Sequence, residues 1–262
     1  MAGSVYGKLF TVTTWGESHG KGVGVVVDGC PAGLPLCEED IQRDLNLRRP
    51  GQSAYTTQRR EADQVTILSG VFEGRTTGTP ISLIVYNEDH HSADYSQLRD
   101  VYRPGHADYT FDEKYGFRDY RGGGRSSGRE TIGRVAAGAI AAKVLEELGI
   151  QVFAYTRSIG PVCVAPDAFN KEAILQTATC MPDYEADKKA NEYLASCMSC
   201  SDSAGGVIEC RIQGVPAGIG DPVFEKLDAN LAKAVLSIGA VKAVEIGDGC
   251  KVSSRFGTDN ND

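Results

Sequence analysis

Val27-Asp28-Gly29-Cys30-Pro31-Ala32-Gly33-Leu34 is echoed later in the chain by Ile212-Gln213-Gly214-Val215-Pro216-Ala217-Gly218-Ile219. Both stretches run apolar, polar, Gly-x-Pro-Ala-Gly, apolar. Pro-Ala-Gly alone is a common turn, but here the flanks match as well. Each copy follows an apolar strand-like run and precedes a helix-like one. A repeated strand, turn and helix predicts an α+β fold of two similar sheet-plus-helix halves related by a pseudo-twofold axis. The repeat covers approximately residues 22–47 and 207–236 of a single domain spanning 1–262.

Working outward, residues 22–27 read as a strand and 38–47 as a helix with Ile41 and Leu45 on one face; Pro50 and Gly51 stop it. Residues 65–72 and 81–86 read as strands, and 87–119, polar and rich in turn residues, as long loops. The clearest helix is predicted over about 128–148, where Ile132, Val135, Ala136, Ala139, Ile140, Val144 and Leu148 recur at helical spacing. Ser127 and Glu130 fit a capping box at its start, and Gly149 fits its end. A strand over 151–155 follows, then a weakly periodic stretch, 166–203, read as helical in part. The second copy of the repeat places a helix over about 223–236.

Composition sets the class. The chain has 262 residues, 41% of them hydrophobic and 24% charged, which is ordinary for a globular protein with a substantial core. A net charge of −8 argues against a general nucleic-acid binder, which needs a cationic face. No apolar run is long enough to span a bilayer and no signal pattern opens the chain, so the expected compartment is the cytosol. The eight cysteines read as free thiols there. Cys197-x-x-Cys200 lacks a second pair or a nearby histidine, so no metal site is expected, and Cys30, Cys163, Cys210 and Cys250 read as small apolar filler.

Four segments carry chemistry. Gly16-Glu17-Ser18-His19-Gly20 sets a serine and a histidine between glycines after an apolar strand. Two readings stand: a tight turn with a satisfied histidine, or a proton donor beside a ligand. Adjacent strand residues point to opposite faces, which speaks against a Ser-His hydrolase pair. Arg48-Arg49-Pro50-Gly51, with Arg59-Arg60 nearby, either complements a helix C-terminus or binds carboxylate and phosphate. Arg103-Pro104-Gly105-His106-Ala107-Asp108 puts an arginine and a histidine in one loop. Arg121-Gly122-Gly123-Gly124-Arg125-Ser126-Ser127-Gly128-Arg129-Glu130 feeds the best helix. Backbone N–H groups, hydroxyls and arginines at such an end favour an anion, read here as a phosphate-bearing ligand. The segment is neither a Walker loop nor Gly-x-Gly-x-x-Gly. An RNA-binding Arg-Gly-Gly tract would be longer and repeated.

Taken together and in order, these segments resemble the chorismate synthase family. Further matches are Tyr55-Thr56-Thr57-Gln58-Arg59-Arg60-Glu61, Ser69-Gly70-Val71, Thr77-Gly78-Thr79-Pro80-Ile81 and Ala243-Val244-Glu245-Ile246-Gly247-Asp248-Gly249. The resemblance implies a carbon–oxygen lyase that converts 5-enolpyruvylshikimate 3-phosphate to chorismate by 1,4-elimination, with reduced FMN and no net redox change. It implies His19 and His106 as catalytic groups, the first near the departing phosphate and the second protonating the flavin. It implies Ser18, Arg48, Arg49, Arg103 and Arg129 as substrate contacts, and Arg125, Ser126 and Ser127 at the FMN. Its partners would be the small-molecule substrate and three further copies in a homotetramer, with no nucleic acid and no membrane. No nicotinamide (NADP) fingerprint is present, so an outside source of reduced FMN is expected. Two departures stand out. Ala54 replaces an arginine found in many relatives. The family also continues beyond Asp262 with Asn-His-Ala-Gly-Gly, Lys-Pro-Thr and Arg-His-Asp-Pro segments that serve FMN binding and proton removal. A truncated chain with an incomplete second half is therefore expected, and the alternative is a catalytically incompetent fragment that folds and binds anion or flavin weakly.

Overall fold

Runs of β-branched residues between polar breaks form the strands. The computed structural model describes residues 3–51, 61–88 and 98–260. The N-terminal part contains β1 (Val5–Tyr6), β2 (Thr11–Gly16), β3 (Gly22–Asp28), α1 (Glu38–Arg48), β4 (Val65–Ile67), β5 (Val71–Phe72), β6 (Arg75–Thr76) and β7 (Ile81–Tyr86). Next come α2 (Asp108–Tyr115), α3 (Thr131–Glu147), β8 (Gln151–Ile159), β9 (Val162–Cys163), α4 (Tyr184–Ser199), β10 (Gly206–Gln213) and α5 (Leu227–Leu236). Helix and sheet are mixed in an α+β arrangement, as expected. A five-stranded antiparallel sheet runs β1-β2-β3-β7-β4, and a second, three-stranded sheet runs β10-β8-β9.

The first sheet carries the main core. Val23, Val25 and Val27 of β3 and Leu83 and Val85 of β7 are buried with Ile41 and Leu45 of α1 and Ile132 and Ile140 of α3. Each such aliphatic side chain contributes on the order of 1.5–3 kcal/mol when fully buried. α3 packs on both α1 and β3, so the start of α3 is held beside the ends of β3 and β7. That placement builds the site described below. In the second sheet, β8 and β10 pair over their whole length, with Val152 opposite Ile212 and Ala154 opposite Cys210. Val152, Ile208 and Ile212 on that face are exposed.

The two Gly-x-Pro-Ala-Gly stretches turn alike. Gly29 and Gly214 both have positive φ (81° and 80°). A Cβ on Gly29 would lie 1.7 Å from the Leu9 carbonyl oxygen, and one on Gly214 would lie 2.2 Å from that of Gly149. Gly29→Ala is therefore expected to destabilise the fold by about 2–4 kcal/mol through strain and overlap. Gly214→Ala is expected to act in the same direction. The urea midpoints of both variants check this.

Several sequence expectations need correction. Residues 65–72 form two short strands, because Gly70 turns the chain at φ 82° between them. The region 87–119 contains α2, closed by Gly116 at φ 79°; eight residues offered too little periodicity to reveal it. α3 proper starts at Thr131, after two 3-10 turns at Gly124–Ser126 and Gly128–Glu130. Ser127 Oγ accepts from the Arg129 N–H, but the Glu130 carboxylate bonds Arg134 and Thr14 instead of closing a capping box. Leu148 is exposed rather than on the core stripe. β8 continues to Ile159, and α5 begins at Leu227 because an Asp221–Glu225 backbone bridge occupies the residues before it. Of the supposed filler cysteines only Cys30 is buried; Cys163, Cys210 and Cys250 are exposed.

Candidate functional site

The site grows from the turn that follows β2. Residues 17–20 lie outside any strand, and the Gly20 N–H donates to the Glu17 carbonyl (3.1 Å). The turn lets neighbouring side chains meet: Ser18 Oγ lies 3.1 Å from His19 Nδ1 and donates to the Gly122 carbonyl (3.4 Å). Alternation along a strand had implied opposite directions; the chain has already left the strand here. Ser18 and His19 are both buried. Gly122, at φ 65°, passes so close that a Cβ there would lie 2.3 Å from His19 Cε1. The glycine loop thus packs directly on the imidazole. A Cβ on neighbouring Gly123 would lie 3.4 Å from Arg103 Nη2, so His19 and Arg103 flank consecutive residues of one loop.

Arg103 is held by Asp108, with Nε to Oδ2 and Nη2 to Oδ1 both 2.9 Å and the Arg103 N–H also donating to Oδ2. These bonds hold the Asp108 carboxyl down at about 2. A carboxyl whose pKa falls on folding stabilises the protein above its unfolded value and loses that effect as the pH drops through its folded value. Asp108→Asn is therefore expected to cost about 1–2 kcal/mol at pH 7. The difference from the wild type should shrink as pH falls from about 4 towards 2. Urea unfolding of both proteins across that range checks it. Asp119 also ionises below its usual range: burial opposes this, but the hydrogen bonds and charge of Arg121, with a smaller electrostatic contribution from His19, outweigh it.

Sequence reasoning missed a second cluster. Asp63 is buried, in the left-handed backbone region (φ 48°), and meets two arginines at once. Arg48 Nη1 pairs with Oδ2, and Arg129 Nη1 donates to Oδ1 at 3.0 Å. Arg129 Nη2 also lies 3.2 Å from buried Glu61. Arg48 Nε reaches Thr131 Oγ1 (3.1 Å), tying the end of α1 to the start of α3. Among the described residues two cations thus meet two carboxylates, an arrangement that holds only if each charge keeps its partner. Arg49, the next residue, is exposed at the C-cap of α1. Residues 63 and 129 lie far apart in sequence, so no local pattern announced the pair.

The proposed cofactor residues divide. The Arg125 guanidinium turns onto β2, donating to the Gly16 and Thr14 carbonyls and to Thr14 Oγ1 (2.7 Å). It ties the glycine loop to the sheet. Ser126 Oγ donates to the Gly123 carbonyl (2.7 Å), which leaves its oxygen as an acceptor. Beside this loop is a cleft of about 310 Å³ walled by Phe111, Tyr115 and Phe117 and reaching Gly123, Arg125 and Ser126. The aromatic walls fit a flat ring system such as that of FMN, whose anionic tail would be met at the glycine-serine loop end, while the carboxylates of Glu17, Asp108 and Asp119 also line the cleft. The cleft is also within the size range of small-molecule sites. His106 is exposed, with Nδ1 3.1 Å from the Pro104 carbonyl. Arg59, Arg60, Ala54, His90 and His91 lie outside the described residues. Among the described residues, no group of His, Cys, Asp and Glu is placed to hold a metal ion, and no helix is long and apolar enough to cross a membrane.

The chorismate synthase family profile matches residues 10–262. A chorismate synthase of Lachnoclostridium phytofermentans is 66% identical over 262 residues, covering all of this chain and 71% of that protein. One from Methanosarcina barkeri is 53% identical, again over the whole chain and 72% of the relative. A solved structure described as a crystal structure of chorismate synthase superposes with a TM-score of 0.81 at 34% identity, covering 97% of this chain and 73% of that one.

Proposed function

The chain belongs to the chorismate synthase family, and from that premise we propose that it eliminates phosphate from 5-enolpyruvylshikimate 3-phosphate to give chorismate. In this 1,4-elimination the carbon–oxygen bond to phosphate and a ring carbon–hydrogen bond both break, and the ring gains a double bond. The observation that carries the reading is the packing of the glycine loop on His19, with Ser18 and Arg103 beside it. A proton donor and cationic groups at one point suit a departing phosphate.

Each residue has a task. His19 Nδ1 is oriented by Ser18, and Nε2 is the atom assigned the proton that meets the leaving phosphate. Arg103, fixed by Asp108, presents positive charge beside Gly123. Arg48, Arg49 and Arg129 bring positive charge to the edge of the site for the substrate's anionic groups, with Arg48 and Arg129 held by Asp63. Ser126, Ser127 and the backbone of the glycine loop would hold reduced FMN against the aromatic cleft. When bound, it supplies electron density to the allylic system. His106 Nδ1 rests on Pro104, so Nε2 is the ring atom that holds or passes a proton.

The repeat over 22–47 and 207–236 is read as one domain built on two related units, supported by the matching turns at Gly29 and Gly214. A homotetramer is the setting carried over from the family, and the cytosol and an outside source of reduced FMN are the settings read from the sequence. The test of the function is anaerobic turnover of 5-enolpyruvylshikimate 3-phosphate with chemically reduced FMN, following phosphate and chorismate together. Equal release of both products supports the reading; release of neither by well-folded protein removes it.

A further inference from the structure

Asn87 follows directly after β7 and is 8% exposed. It has no part in the roles given above, yet every polar atom of its side chain is engaged with the site. Nδ2 donates to the Glu17 and Gly20 carbonyls, each at 2.9 Å, and Oδ1 accepts from Arg129 Nε at 3.0 Å. The partners leave one orientation for the amide, because two carbonyls require the NH2 and a guanidinium requires the oxygen. The Asn87 N–H donates to the Lys21 carbonyl (3.1 Å), fixing the backbone at the same place.

The two carbonyls are the ends of the turn that carries Ser18 and His19. Asn87 therefore clamps that turn closed and ties it to Arg129, which itself leans on Asp63 and Glu61. We infer that Asn87 is a positioning residue that sets the histidine turn and Arg129 at a fixed separation, so that one phosphate-bearing substrate meets both. This rests on the function proposed above. Asn87 touches no substrate in this scheme and acts through His19 and Arg129. A serine or alanine there would leave two half-buried carbonyls and a buried guanidinium without the side chain that spans them. An aspartate would keep the acceptor for Arg129 but turn a second oxygen towards the two carbonyls, so the donor half of the clamp would be lost and a negative charge added.

The test reads the site without turnover. The chain has four histidines, so the His19 Cε1–H resonance can be assigned by its loss in His19→Ala. Inorganic phosphate is titrated against wild type, Asn87→Ala and Asn87→Asp while that resonance is followed, with a thermal melt of each. Asn87→Asp keeps the side-chain volume and serves if the alanine variant does not fold. The expected result is saturable movement in the wild type and a requirement for about tenfold more phosphate in the folded variants, consistent with loss of buried hydrogen bonds. A folded variant that titrates at the wild-type concentration overturns the inference, as does a wild-type His19 resonance that phosphate does not move. Turnover, measured separately, decides the lyase reading: a chain that turns over but fails the phosphate test loses only the role of Asn87.

Discussion

His19→Ala is expected to lower turnover by about 10²–10⁴-fold, the range for loss of a positioned general acid. The side chain is 8% exposed, held by Ser18 on one side and covered by Gly122 on the other. Ser18, its neighbour, carries a hydroxyl that already donates to the Gly122 carbonyl and is a far weaker acid than an imidazolium. Substrate binding should change far less, since the arginines keep their own carboxylate partners. Gly122→Ala offers an independent route to the same result. Its Cβ would lie 2.3 Å from His19 Cε1, so the imidazole or the loop must move although no catalytic group is removed. A fall in kcat with little change in KM for both variants supports the role. Near-normal turnover in folded His19→Ala removes it.

Asp63→Ala should produce the largest loss of stability. The carboxylate is buried at the meeting of Arg48 and Arg129, and its removal takes away the charge that joins the two guanidinium groups, of which Arg129 also pairs with Glu61. Breaking a buried ion pair by deleting one partner costs about 3–5 kcal/mol, because the remaining charge stays desolvated. Denaturant unfolding at pH 7 measures it. Asp63→Asn should cost less, since the amide oxygen can still accept one bond. A left-handed backbone at φ 48° also suits an asparagine, so the difference between the two variants isolates charge from geometry. If Asp63→Ala unfolds within about 0.5 kcal/mol of the wild type, the range of an ordinary surface change, the cluster contributes no net stability.

Local pattern carried the elements whose stability is itself local or periodic. The spacing of Ile41 and Leu45 gave α1 to within a residue, and the run from Ile81 to Tyr86 gave β7 at its observed bounds. α2 escaped because eight residues between turns show no sustained stripe, and its Gly116 cap looks like any loop glycine. The break at Gly70 escaped because an apolar run does not reveal a positive φ within it. Of the residues that the ordered motifs named, Ser18 and His19 meet under Gly122 and Arg103 lies against Gly123, while Arg49 and His106 are exposed and Arg125 is turned onto β2.

By itself the sequence determined the α+β class, the strand-turn-helix stretches around Gly29 and Gly214, the run of α3 and the family. All of these follow from periodicity, turn chemistry or motifs read along a single stretch. Tertiary structure alone decided that Ser18 meets His19, that Arg125 is turned onto β2, and that Asp63 and Asn87 both reach Arg129. Their partners are 66 and 42 residues away at Arg129, and they meet because β3, β7 and the start of α3 are packed together by the same core. A buried charge or amide is stable only beside its partner. Which partner it finds is fixed by how the sheet and helices pack, and no single stretch of the chain records that.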